Sequence, residues 1–247
     1  VVAVVYMSPI RLFDLAGKQT RILLVGGSRY VVKEYESEPG VIKWYAVVAA
    51  NMAIKIYPFT QSPFERLERE VSFLRQEFKC FRKPALHVVD YVSLKTIREF
   101  VRGNPYSSKA PPHIHSAVGR CLAECHERGW SLGDTKISNF IYSDSEVYVV
   151  DAEQAVNEHN PRYGAWDLLI LASTLAIDIY PSLRYNNYSR IIGEVLRGYG
   201  EQGGVAESVL KQLEEPDFKI LSYILIPFPL NVIFAKRLEE VKRDLRR

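Results

Sequence analysis

Two carboxylates and an amide stand at a telling spacing in the second half of this chain. The stretch Leu132-Gly133-Asp134-Thr135-Lys136-Ile137-Ser138-Asn139-Phe140 is followed, after a short polar turn, by Val149-Val150-Asp151-Ala152-Glu153. Asn139 lies five residues beyond Asp134, and Asp151 twelve beyond Asn139. Phe140 to Tyr142 and Val147 to Val150 read as a hairpin across Ser143-Asp144-Ser145-Glu146. Such a hairpin brings Asn139 and Asp151 together at its base, facing Asp134. Phosphoryl transfer uses this combination: an acid that orients an attacking hydroxyl, and hard oxygen ligands for magnesium. Lys136 would neutralise charge building on the transferred group.

The elements that must position these residues are legible from periodicity. Ile10 to Leu15, Thr20 to Val25 and Arg29 to Tyr35 read as strands of an antiparallel meander, rich in β-branched and aromatic residues. Gly40 to Ile56 is apolar at helical spacing. Pro63 to Phe78 reads as an amphipathic helix with Phe64, Leu67, Val71 and Leu74 on one face. Leu86 to Leu94 reads as a strand pair or strand edge. Asn104 to Pro112 is crowded with turn residues and breakers and marks a boundary. Beyond it, His113 to Arg128 is a helix stopped by Gly129, and further helices are expected at 165–178, 185–198, 205–214, 219–226 and 229–245. The layout is α+β: a small β-rich lobe over 1–103 with a helical insert at 40–62, a hinge at 104–112, and a larger α-rich lobe over 113–247.

Composition bounds the answer. The chain has 247 residues, 47% hydrophobic and 25% charged, which excludes disordered and collagen-like architectures. Residues 1–110 carry a net +7 and residues 111–247 a net −4. That asymmetry fits solvated faces of mixed sign, or a first lobe facing phosphate or nucleic acid. The three cysteines, Cys80, Cys121 and Cys125, are too few for a disulfide scaffold and point to a reducing compartment. The opening VVAVVYM lacks the basic flank of a signal peptide. The apolar run from Ile220 to Ala235 is interrupted by prolines and is shorter than a membrane span. A soluble, cytoplasmic protein with no membrane contact is expected. The chain opens on Val1, so either an alternative start codon or Met7 is expected as its true start.

The order and spacing of Asp134, Asn139 and Asp151 resemble the catalytic loop (132–140) and metal-binding motif (151–153) of the protein-kinase-like superfamily. The Gly-Asp-x-x-x-x-Asn form resembles its small atypical members most: the RIO family, the archaeal and eukaryotic kinase of the KEOPS complex, the lipopolysaccharide kinases and the archaeal RNA kinase family. The resemblance implies a two-lobed protein-kinase-like fold that binds ATP with Mg2+ or Mn2+. It implies Asp134 as the catalytic aspartate with Lys136 beside it, and Asn139 and Asp151 as metal ligands. Asp167, in Trp166-Asp167-Leu168-Leu169, matches the helix-borne acid that holds the catalytic-loop backbone.

A strand lysine that grips the α/β-phosphates and pairs with a helix glutamate is also implied. Lys33 and Glu70 fit. Lys55, in Ala53-Ile54-Lys55-Ile56, is the rival lysine, although choosing it breaks the apolar periodicity of 41–56. Several features depart from the family. Only Gly17, beside Lys18, stands where a glycine loop is expected. Leu132 replaces the usual histidine, and Ala152-Glu153 the usual Phe-Gly. Asp167 follows Asp151 by only sixteen residues, too few for a switchable activation segment with a peptide platform. Glu153 is either an extra metal ligand or a local salt-bridge partner. His126 matches a helix-end histidine common before such loops, so no structural metal is expected around Cys121, Cys125 and His126. The acceptor reads first as a protein Ser/Thr hydroxyl, including the chain's own. The alternative is a ribose 2′-hydroxyl of tRNA tracked by Arg66, Arg69, Arg75, Lys79, Arg82 and Lys83. A pseudokinase that only binds a partner is the further alternative.

Overall fold

The structure is a computed structural model that describes residues 20–36 and 56–245. The strand expected at Ile10 to Leu15, Gly17, Lys18, Lys55 and the insert up to residue 55 lie outside the described residues.

β1 (Thr20–Val25) and β2 (Ser28–Glu34) form a hairpin. With β4 (Leu86–Asp90) and β5 (Lys95–Glu99) they complete an antiparallel sheet of order β1-β2-β5-β4. The register sets Lys33 opposite Thr96 and Val31 opposite Arg98. Side chains alternate along a strand, so Lys33, Tyr35, Thr96 and Arg98 share one face. Helix α1 (Pro63–Leu74) lies on that face. The Ser62 side chain caps it by accepting the Glu65 N–H, and Pro63 opens its first turn, where a missing N–H does no harm. Leu67 and Val71 pack with Tyr35 against Leu86, Val89 and Leu94. The helix stops four residues short of the expected Phe78, with Arg75 as its C-cap.

The chain then enters a second sheet. β3 (Phe81–Arg82) pairs in parallel with β9 (Glu146–Val149), which pairs with β8 (Phe140–Ser143), and β8 with β6 (Asn104–Pro105). β6 therefore ties the segment after β5 to the β8–β9 hairpin of the α-rich lobe. That lobe holds α2 (Pro112–Glu127), the small pair β7 (Trp130–Ser131) with β10 (Val156–Asn157), and α3 (Pro161–Ile179), α4 (Tyr185–Gly200), α5 (Val205–Gln212), α6 (Pro216–Leu225) and α7 (Leu230–Leu245). α3 is its central element. Among the described residues, Pro161–Ser182 is the one helical span long and apolar enough to cross a membrane, but 72% of its apolar window is buried inside the molecule. Trp166, Leu169, Leu171, Leu175 and Ala176 of α3 are fully enclosed.

α2 and α4 cross at backbone contact. A Cβ on Gly119 would lie 2.1 Å from the Val195 carbonyl oxygen, and one on Gly198 would lie 2.2 Å from that of Ser116. Only glycine permits this approach.

The cysteine reading is corrected. Cys80 and Cys121 form a disulfide, while Cys125 is free and buried. The pairing follows from docking. Glu124 on α2 accepts the backbone N–H groups of Lys79 and Cys80 at 2.8 and 2.7 Å. This holds the segment leaving α1 against α2, with the two Cα atoms 4.9 Å apart. A low cysteine count therefore does not leave these thiols reduced.

Candidate active site

The loop after β7 is held from below by one buried carboxylate. Asp167, carried by α3, accepts the N–H groups of Leu132 and Gly133, each at 2.7 Å. The Trp166 indole N–H donates to the Gly133 carbonyl at 2.8 Å, and Thr135 Oγ1 donates to that of Asp167 at 2.5 Å. His126 Nε2 lies 3.0 Å from Asp167 Oδ2, and its Nδ1 lies 2.6 Å from the Tyr199 hydroxyl. Leu132, Gly133 and His126 are thus fixed around a carboxylate with no solvent exposure. Gly133 has φ +74, and a Cβ there would meet the Tyr57 ring at 2.4 Å. Tyr57 in turn donates to the carbonyls of Ser131 and Gln154 at 3.0 and 2.9 Å. The loop is rigid because these backbone groups have assigned partners.

Above this base, Asp134, Lys136 and Asn139 converge. Lys136 Nζ is 2.6 Å from Asp134 Oδ2. Asn139 Nδ2 donates to the Asp134 carbonyl at 2.7 Å and to Oδ2 at 3.1 Å. The Val150 N–H donates to the Asn139 carbonyl at 2.9 Å, which sets Asp151 beside the same turn. Burial pushes the Asp134 carboxyl above the ordinary range, against the opposing pull of Lys136. Burial also raises Asp151, but Lys33 and Lys136 outweigh it and hold that carboxyl down at about 2. The Asp151 side chain stays 25% exposed.

A second cluster roofs the first. Lys33 of β2 is 1% exposed and lies 2.8 Å from Glu70 of α1, 2.9 Å from Asp151 and 3.1 Å from Glu153. Burial works against the charge of this lysine, yet Asp151, Glu70 and Glu153 raise its affinity for the proton well above the ordinary lysine value. Glu70, fully buried, also receives Arg98 at 2.6 Å and the hydroxyl of Tyr35. Glu153 binds Arg66 at 3.4 Å, so its carboxylate is engaged by Lys33 and Arg66.

The structure brings Lys33, Glu70 and Asp151 together, and Asp134, Lys136 and Asn139 together beside them, with Asp167 beneath. Lys55 lies outside the described residues. Arg66 is 6% exposed and turned toward Glu153 and the Tyr35 carbonyl, so it does not belong to a basic surface. Arg98 and Tyr35 escape sequence reading. Neither belongs to a motif, and the only signal for Arg98 is its place on the same strand face as Lys33.

No protein-family model matches the chain. Over 150 residues it is 27% identical to the KEOPS complex subunit Bud32 of Pyrococcus abyssi (strain GE5 / Orsay), a match that takes in 57% of this chain. This similarity supports an atypical protein-kinase-like family. The aligned part spans 65% of the length of Bud32. Among solved structures, WaaP in complex with acyl carrier protein aligns at 15% identity and a TM-score of 0.39, over 94% of this chain and 85% of that one. The cleft has two chemical halves: a roof of paired charges around Lys33, and a floor where a carboxylate, an amide and a lysine meet.

Proposed function

We propose that the chain is an ATP- and magnesium-dependent kinase that transfers the γ-phosphate to a hydroxyl of a macromolecular acceptor, with a protein Ser/Thr, including its own, as the first reading. The observation that carries this is the meeting of three distant segments at one nitrogen. Lys33 of β2 touches Glu70 of α1 and Asp151 after β9, the latter 118 residues away in sequence. In this reading the β-rich lobe spans 1–103, the hinge 104–112 and the α-rich lobe 113–247, with ATP between the lobes.

The donor set fits a hard cation. Asn139 uses Nδ2 on Asp134, so Oδ1 is the atom it can offer, and the part-exposed Asp151 adds a carboxylate. Oxygen ligands supplemented by substrate phosphates are what magnesium requires. Among the described residues no group of three His, Cys, Asp or Glu side chains is placed as a cage, so Asp151 and Asn139 would hold the ion together with those phosphates. Bound there, the ion would neutralise phosphate charge.

The chain's own residues do the rest. Lys33 has three N–H donors and three carboxylate neighbours. Gripping a phosphate therefore exchanges at least one of these contacts, and Asp151, the most exposed of the three, is the one to yield. Asp134 orients the acceptor hydroxyl and takes its proton. Lys136 Nζ, already beside Asp134, counters the charge on the moving phosphoryl group. A protein hydroxyl is preferred to RNA because part of the proposed RNA-tracking surface is engaged within the molecule. Arg66 is buried, Arg82 pairs with Glu146 at 2.8 Å, and Lys83 donates to the Leu74 carbonyl at 3.1 Å.

The test is incubation with γ-labelled ATP and magnesium, adding either total protein or total tRNA, for wild type and Asp134→Asn. Label in protein, lost in the variant, is expected. Label in tRNA alone would replace the acceptor, and no turnover by wild type would leave a binding module.

A further inference from the structure

Glu70 is more heavily engaged than a partner for one lysine needs to be. Its Oε2 receives Lys33 at 2.8 Å and the Tyr35 hydroxyl, while its Oε1 receives Arg98 at 2.6 Å and the Ala152 N–H at 3.4 Å. Every side chain of this group is buried: Glu70 and Tyr35 have no exposure, Lys33 has 1% and Arg98 has 4%. Arg98 reaches Glu70 from β5, the strand hydrogen-bonded beside the one that carries Lys33. A carboxylate with only one cation would be free to follow that cation toward a phosphate. Here a second, permanently charged and nearly immobile guanidinium holds the other oxygen.

Resting on the kinase reading above, we infer that Arg98 is a positioning residue: it fixes Glu70, and through Glu70 it fixes the Lys33 ammonium where the nucleotide phosphates must lie. The guanidinium bonds to the glutamate, so it acts on Lys33 through Glu70. The same contact ties α1 to the sheet from the β5 side. The Glu70 helix thus stays in place whether or not Lys33 has turned to a phosphate. A lysine–glutamate pair that opens and closes to switch the site is not available to this chain while Arg98 is present. This agrees with the short 151–167 segment, which leaves no room for a phosphorylated loop to drive such a switch.

The experiment follows hydrolysis of γ-labelled ATP with magnesium, and counts active sites by nucleotide-binding stoichiometry. The proteins are wild type, Arg98→Met, Arg98→Lys, Glu70→Gln and the double variant Arg98→Met with Glu70→Gln. Displacement of a positioned group costs up to about 100-fold. Arg98→Met is therefore expected to lower kcat per active site about 10- to 100-fold, with a smaller change in the KM for ATP. Arg98→Lys should recover part of the loss, and the double variant should be no slower than Glu70→Gln alone, as expected of residues that act as one unit. A purely structural arginine would reduce the count of active sites and leave kcat per site unchanged. Should Arg98→Met fail to fold, Arg98→Lys completes the same cycle. Wild-type kcat in either Arg98 variant, or losses that multiply in the double variant, overturns the inference while the kinase reading stands. Absence of ATP turnover by wild type overturns both.

Discussion

Asp134 and Asp151 share one cleft and are driven apart in proton affinity. Burial lifts Asp134, and the surrounding lysines bring Asp151 down to about 2. Divergent carboxylates of this kind divide the labour between a proton-accepting group and a permanent anion. Lys136 is the cation that restrains Asp134. In Lys136→Met the Asp134 carboxyl rises further, so the acid limb of the kcat profile is expected to move to higher pH. An unmoved limb would show that Asp134 is not the titrating group. Asp151 has the opposite sign. Its folded value lies below the ordinary carboxylate value of 3.8, so its contribution to stability is present above that pH and is lost as pH falls toward about 2. Asp151→Ala should abolish turnover, Lys33→Met should lower it by about 100- to 1,000-fold, and Asn139→Ala should be the mildest of the three. Steady-state kinetics, with far-ultraviolet circular dichroism as a check on folding, ranks them, and an active Asp151→Ala would remove the metal assignment.

At the scale of elements, two helices decide whether the floor of the cleft exists. α3 carries Asp167 and Trp166 into the loop, and α2 must sit close enough to α4 for His126 to reach both Asp167 and Tyr199. The glycine crossing sets that distance. Gly119→Ala places a methyl group 2.1 Å from a backbone carbonyl, where no flexible side chain can yield. Overpacking of this kind costs about 1–3 kcal/mol. Urea denaturation should show a lower midpoint at an unchanged slope. A neutral substitution would mean that the helices separate freely and that His126 is not held by their spacing.

Across the whole molecule, the Cys80–Cys121 bond ties the segment leaving the Glu70 helix to α2 of the other lobe. It closes a loop of 41 residues, for which loop-closure entropy is worth about 4 kcal/mol. Thermal unfolding with and without a thiol reductant should differ by several degrees, and the Cys121→Ala variant should match the reduced wild type. Identical melting in all three would show that the bond contributes nothing. Charge is the other property at this scale. If the acceptor is a protein, labelling should change little with salt. An RNA acceptor held by phosphate contacts would give a log–log slope of roughly −0.7 to −0.9 per contact, measured as phosphotransfer across a salt series.

Local chemistry makes much of this chain legible in its sequence. Helix positions in the α-rich lobe follow from apolar periodicity, because the outer helices bury one face while α3 is apolar and buried nearly all round. The expected helix at 185–198 is found at Tyr185–Gly200, and that at 229–245 at Leu230–Leu245. The Phe140 to Val150 hairpin is legible because its strands alternate around a polar turn. Its closure alone brings Asn139 and Asp151 together, whatever the rest of the chain does. The environment of Lys33 is not legible in the same way. Arg66 and Arg98 carry no motif, and they join Glu70 and Glu153 around Lys33 only when β2, β5, α1 and the segment after β9 are assembled, with Arg66 and Glu153 separated by 87 residues in sequence. The basic count of the first lobe suggests a charged surface, whereas tertiary packing buries Arg66 and pairs Arg82. The disulfide belongs to the same class of fact, since three cysteines in a sequence do not say which two backbones Glu124 will hold within bonding distance. Sequence by itself determined the helices of the α-rich lobe and the hairpin that brings Asn139 and Asp151 together, because those depend on contacts local in the chain. Only the tertiary structure decided which buried charges neutralise one another, because electrostatic pairing in a low-dielectric core is set by distance in space.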